Sequence, residues 1–169
     1  MANQYLMSRD AVVSPLINLT GSAGQPFLQD IGGTYGTTDW VSMAEFDGVY
    51  AYVQLGTWNG TDDLDECRLE QATDASGTGA KDLTTDASGG NYDTANPIDA
   101  AGDFVVLEAK AEDLDVANGF THVRLYVAEG GNTGTDNIGG FLMRYGAKNQ
   151  RKQLQGAAVT GSKVYVTPS

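Results

Sequence analysis

The chain has 169 residues, enough for one domain that buries about two thirds of its unfolded surface without covalent or metal staples. Its 22 acidic residues against 10 basic ones leave a net charge of −12, which opposes binding to nucleic acid or to an anionic membrane, because phosphate contacts rely on Lys and Arg. Twenty-two glycines, about twice the usual share, favour turns over long helices, and a single cysteine excludes an intrachain disulfide.

Residues 1–37 are loosely patterned, with Pro15, Pro26 and five glycines interrupting every run. Only 11–13 and 16–19 read as strands, so this stretch is expected to be a loosely structured N-terminal segment or arm of a single β-sandwich domain covering 1–169. The opening MANQYLMSRD has no basic region leading into an apolar stretch, so no secretory signal is expected. No apolar run is long enough to cross a bilayer, which predicts a soluble protein made in the cytoplasm. The sequons at Asn18 and Asn59 are then expected to stay unmodified.

Residues 39–45 (DWVSMAE) predict a strand with Trp40, Ser42, Ala44 and Phe46 on one face, closing at an Asp47-Gly48 hairpin turn. From Gly48 to Gly56, Val49, Ala51, Val53 and Leu55 alternate with Tyr50, Tyr52 and Gln54, the period of a half-buried strand. A turn at Trp58-Asn59-Gly60 and a strand from Leu64 to Gln71 would continue a β-meander. Cys67 falls on the same face as Leu69 and reads as a small core side chain. Residues 72–103 are the most polar part of the chain. Thr-Asp-Ala-Ser-Gly occurs there twice, at 73–77 and 85–89, as two Asx-type turns around a short strand at 81–84.

The strongest patterning lies between Phe104 and Val127. Val105, Leu107 and Ala109 share one face, and Val123, Leu125 and Val127 share another. Each strand buries one side only, so a second layer must cover it, and a sandwich or barrel follows. Residues 109–117 fit a loop with one turn of helix. A glycine-rich loop at 130–137, a strand over 139–147 presenting Phe141, Met143 and Tyr145, and a last strand at 163–167 (KVYVT) complete eight to ten strands.

Catalytic sets are absent by residue type. His122 is the only histidine and lies on the outward face of a strand, too little for a nucleophile–base–acid set or a histidine metal site. No glycine spacing matches a phosphate loop. The acidic clusters Asp62, Asp63, Asp65, Glu66 and Asp113, Asp115 offer oxygen ligands, but in no calcium-loop spacing. No enzyme activity, metal or cofactor is therefore expected. Charge is uneven: all acidic residues lie between Asp10 and Asp136, while Arg144, Lys148, Arg151, Lys152 and Lys163 lie beyond. These cations either pair with the protein's own acidic loops or form a docking surface for an acidic partner.

In Leu69–Leu83 (LEQATDASGTGAKDL) and in three stretches between Asp103 and Tyr145 (DFVVLEAKAEDLDV, GFTHVRLYVAEGG and GGFLMRY), the chain resembles small virion structural proteins of tailed bacteriophages. The closest kind is the decoration, or cement, proteins of the capsid exterior. The resemblance implies an all-β, jelly-roll-like antiparallel β-sandwich that assembles as a homotrimer. It further implies a place on the outer capsid surface, with the major capsid protein as partner and neither nucleic acid nor membrane involved. Arg144, Lys148, Arg151 and Lys152 would then meet an acidic shell surface, and Tyr50, Tyr52 and Tyr126 would make subunit contacts, where tyrosine is favoured. Other virion components (tail, head-fibre or minor head proteins) fit the same pattern. A carbohydrate-binding host-attachment module is the reading from another class, with Trp40, Trp58, Tyr35 and Tyr92 as sugar platforms.

Overall fold

The computed structural model describes backbone and side chains for residues 35–58, 64–84, 98–129 and 136–148, and the backbone of three short strands before them. Among the described residues, eleven strands form two antiparallel sheets. The first holds β1 (Val12–Pro15), β3 (Gln29–Asp30), β6 (Gly48–Leu55), β9 (Phe104–Lys110) and β11 (Asn137–Tyr145), in the order β1-β11-β6-β9, with β3 also on β11. The second holds β2 (Ile17–Asn18), β4 (Tyr35–Thr37), β5 (Val41–Ser42), β7 (Leu64–Ala72), β8 (Lys81–Asp82) and β10 (His122–Glu129), in the order β2-β4-β10-β7-β8, with β5 also on β10. The only helical elements among the described residues are single 3-10 turns at Ala111–Asp113 and Val116–Asn118. The predicted all-β class is what the chain adopts.

One core lies between the sheets, and period-two alternation builds it. The first sheet supplies Val49, Ala51, Val53 and Leu55 from β6, Val105, Leu107 and Ala109 from β9, and Ile138 and Leu142 from β11. The register stacks them in rows, Leu142 beside Ala51 and Ala51 beside Leu107. From the second sheet come Cys67 and Leu69, paired with Val127 and Leu125. Cys67 is fully buried, the small core side chain predicted for it.

The connections differ from the sequence reading. β6 and β7 do not form a meander: β6 pairs with β9 and β11, whereas β7 pairs with β10 in the other sheet. β9 and β10, the two most strongly patterned strands, likewise lie in opposite sheets instead of pairing. Alternation fixes which face is buried and carries no information about the neighbour. Residues 39–45 hold only the two-residue β5, and Val41, Met43 and Phe46 turn inward while Trp40 and Ser42 turn out. Asp47-Gly48 is no hairpin turn either. Gly48 is the first residue of β6, and a Cβ there would lie 2.4 Å from the Tyr145 ring. Close approach, not turn geometry, selects glycine at this position.

Of the two Thr-Asp-Ala-Ser-Gly copies, the first makes the predicted Asx-type turn: Asp74 Oδ1 accepts from the Ser76 and Thr78 amides at 2.8 and 3.1 Å. It joins β7 to β8 as a hairpin. The second copy and the strand expected at 163–167 lie outside the described residues.

Candidate interaction surfaces

The outer face of the first sheet is aromatic. Counting outward positions, β6 contributes Tyr50, Tyr52 and Gln54, β9 contributes Phe104, Val106 and Glu108, and β11 contributes Phe141, Met143 and Tyr145. Cross-strand register places Tyr52 between Phe141 and Val106, and Gln54 beside Phe104. Four rings form a continuous column: Phe104 to Tyr52 and Tyr52 to Phe141 at 5.8 Å between centroids, then Phe141 to Tyr50 at 6.4 Å. Phe104 is 61% exposed and Val106 38%. Clustered rings left in water mark a contact surface more often than a structural need. A groove of about 470 Å³ beside the column is lined by Tyr52, Gln54, Phe141 and the glycines 56, 139 and 140.

At the other end of this face, Tyr145 reaches over β6 and donates to Glu108 Oε1 at 2.6 Å. Gly48 lies under the ring and leaves it room. The hydrogen bond to Glu108, with burial and further carboxylates behind it, pushes the Tyr145 phenol up to about 12.

The outer face of the second sheet is charged and internally satisfied. The Glu70 carboxylate, 8% exposed, accepts from Arg68 at 3.0 Å and from Arg124 at 2.7 Å. Arg68 also pairs with Glu66 and, at 2.8 Å, with Asp82. Both guanidiniums lie on aromatic faces, Arg68 over Tyr126 at 4.3 Å and Arg124 over Trp40 at 4.6 Å. Tyr35 stacks on Tyr126 at 5.5 Å. Burial works against the Arg68 charge, but the Glu66 hydrogen bond and the Asp82, Glu66 and Glu70 carboxylates outweigh it and hold its pKa above the ordinary value.

The sequence-chosen contact residues therefore separate. Tyr50 and Tyr52 share the aromatic face, whereas Tyr126 belongs to the opposite sheet, already stacked. Arg144 does not join a basic docking surface. It continues the inward face of β11, donates to the Ser42 carbonyl at 2.7 Å and covers the Phe46 ring at 4.5 Å, and burial lowers its pKa. Lys148 is exposed, and Arg151 and Lys152 lie outside the described residues. Phe104 and Phe141 complete the aromatic column and were not among the contact residues chosen from the sequence. Their signal was present, as aromatics at outward positions of β9 and β11, but only the register aligns them with Tyr52.

Of the acidic clusters, Glu66, Asp113 and Asp115 are engaged by neighbours. Asp113 Oδ2 accepts from the Lys110 amide at 2.7 Å, and Asp115 pairs with Lys81 at 2.5 Å and accepts from Asn118. Among the described residues no group of three or more acidic, histidine or cysteine side chains is placed to hold a metal. Asp62 and Asp63 lie outside them. Trp40 is covered by Arg124, and Trp58 packs against the core, which removes both as open sugar platforms. No helix among the described residues is long and apolar enough to cross a membrane.

The chain is thus an all-β protein of two antiparallel sheets with an aromatic outer face. No family model and no curated protein matches it. Among solved structures, the crystal structure of the Agl-KA catalytic domain is similar at 16% identity with a TM-score of 0.32, over 82% of this chain and 26% of that one. The chain spans about a quarter of that structure's length, and a likeness this weak carries no statement about fold or activity.

Proposed function

We propose that the protein is a structural component of a bacteriophage virion that binds the outer surface of the capsid as a homotrimer and stabilises the assembled shell. The observation that carries this reading is the outward column of Phe104, exposed, with half-buried Tyr52, Phe141 and Tyr50, the composition of a protein contact rather than of a solvated strand face. The strand orders β1-β11-β6-β9 and β4-β10-β7-β8, with the chain alternating between sheets from β8 to β11, support a jelly-roll reading. A net charge of −12 suits a surface facing away from packaged DNA. The major capsid protein is the partner, and the role is mass action. A protein that binds only the assembled lattice lowers that state's free energy by RT ln(1 + [L]/Kd) per site, and a trimer engages several sites at once.

Light scattering should give a mass near three times 17.8 kDa, and the protein should co-sediment with empty capsids and raise their melting temperature. Phe104→Ser with Phe141→Ser should lower capsid occupancy while the far-UV spectrum stays unchanged. A monomer that leaves capsid melting unaltered would overturn the proposal. Co-sedimentation with tails instead would move it to another virion position. Glycan binding lost in Tyr52→Ala would favour a host-attachment module seated in the groove beside the column.

A further inference from the structure

Two short 3-10 turns join β9 to β10, and the second, Val116–Asn118, ends in the dipeptide Asn118-Gly119. Gly119 stands at φ +84°, the left-handed conformation that closes the turn and favours glycine, and a Cβ there would meet nothing within 4 Å. Both residues are exposed. Backbone conformation thus selects glycine, and a reactive pair comes with it. The main-chain nitrogen of the residue after an asparagine can attack the asparagine Cγ, and glycine alone puts no side chain in the way. That step forms the N–Cγ bond of a succinimide ring and breaks the bond from Cγ to the side-chain nitrogen. The nitrogen leaves as ammonia, which carries away the proton of the attacking amide. Water then opens the ring at either carbonyl and leaves aspartate or isoaspartate at position 118.

We propose that Asn118-Gly119 is a succinimide-forming modification site that the Asp115 carboxylate holds in check. The folded turn restrains both reacting groups. Asn118 Nδ2 donates to Asp115 Oδ1 at 2.8 Å and to Oδ2 at 3.0 Å, which draws the side chain back toward the start of the turn. A side chain held on residue 115 is not free to swing its Cγ onto the nitrogen of residue 119. The Gly119 amide, the attacking group, donates to the Val116 carbonyl at 3.0 Å. Asp115 is itself fixed: its amide donates to Gln71 Oε1 at 2.8 Å, and its carboxylate pairs with Lys81 at 2.5 Å. Hydrogen bonds from Lys81 and Asn118 hold its pKa below the ordinary value, so the clamp stays charged in the alkaline range where ring closure is fast. The product cannot restore the clamp. An acid at position 118 has no N–H to donate and sets a second carboxylate against Asp115, on a chain already at −12. The site therefore records, irreversibly, each loss of the Asp115 contact. This assignment is independent of the virion reading.

Incubating the full chain in mildly alkaline buffer tests it. Trypsin then releases Asn118 on the 111–124 peptide, which holds no other Asn or Gln, and mass spectrometry reads the replacement of an amide by an acid there. The folded protein should convert at least about tenfold more slowly than the same chain in denaturant, the scale of one hydrogen bond to a charged group. Asp115→Ser removes the carboxylate and keeps a turn-forming residue. It should convert at least about tenfold faster than the parent, with its melting transition still well above the incubation temperature. Gln71→Ala removes a neighbouring bond of the same connection but leaves Asp115 on Asn118, and should convert at the parent's rate. Equal rates in the folded and denatured parent would overturn the proposal. So would an Asp115→Ser rate equal to the parent's, or a Gln71→Ala rate as fast as that of Asp115→Ser, since general loosening and not the carboxylate would then set the rate.

Discussion

Tyr145 reaches Glu108 only because Gly48, the residue it crosses, has no side chain. Gly48→Ala should force the ring aside and cost about 1–3 kcal/mol, the range for overpacking a filled site, and most of that cost should vanish in a Tyr145→Ala background, which removes the ring that the new Cβ meets. The bond also has a pH signature. The Tyr145 phenol, raised from 10.0 to about 12, contributes stability that is fully present below pH 10 and is lost as pH rises through 12. Ultraviolet titration of the eight tyrosines should show one phenol titrating near that value, and Glu108→Gln should bring it down. Arg144 and Lys148 make a contrast between two cations that look alike in the sequence. Arg144→Ala removes a buried stem, a hydrogen bond to Ser42 and a stacked guanidinium, and should cost about 2 kcal/mol in a denaturant melt. Lys148→Ala, at an exposed position, should stay within about 0.5 kcal/mol of the parent.

The β7–β8 hairpin shows how an element is held by both its own turn and a neighbour. Asp74 closes the turn by accepting the Ser76 and Thr78 amides, and these bonds lower its pKa. Gly77 follows at φ +82°, with the Trp40 indole nitrogen 2.5 Å from where a Cβ would stand. Gly77→Ala should therefore cost about 1–2 kcal/mol from backbone conformation alone, with the Trp40 contact adding to it. Gln71 ties the hairpin to the β9–β10 connection by accepting the Asp115 amide at 2.8 Å, and Lys81 pairs with the Asp115 carboxylate. Gln71→Ala leaves that half-buried amide without its acceptor and should cost about 1 kcal/mol. Asp115 adds an acid-side term. Hydrogen bonds from Lys81 and Asn118 lower its pKa below 3.8, so its contribution is present above that pH and is lost as pH falls through the lowered value. Asp115→Asn should flatten the acid limb of the stability curve.

At the scale of the molecule, the two outer faces divide the work. The second sheet spends its cations and rings on one another, Arg68 and Arg124 on Glu70 and on Tyr126 and Trp40. The first sheet leaves Phe104, Tyr52 and Val106 toward water. Partners should thus meet the first sheet, and substitutions there should alter assembly with little effect on the monomer's melting. Each chain carries −12, so the proposed trimer would form against charge repulsion. Light scattering should show tighter association at high than at low salt. The opposite salt response would mean that the contact runs through opposite charges instead of the aromatic face.

Composition and alternation alone determined the all-β class, the buried faces of β6, β9 and β10, the inward Cys67 and the Asp74 turn, because each depends on residues two to four apart. Strand neighbours depend on no such local signal. β6 and β9 pair across about fifty to sixty residues, and only the shared core decides that β7 crosses to the other sheet. The aromatic column was legible in pieces, as Tyr50 and Tyr52 on one strand and Phe141 and Met143 on another. Register made it a surface, and the same register sent Tyr126 to the opposite face and Arg144 inward to the Phe46 ring. Side-chain type sets what a residue can do in a contact, but packing of the two sheets decides which residues are left free to make one.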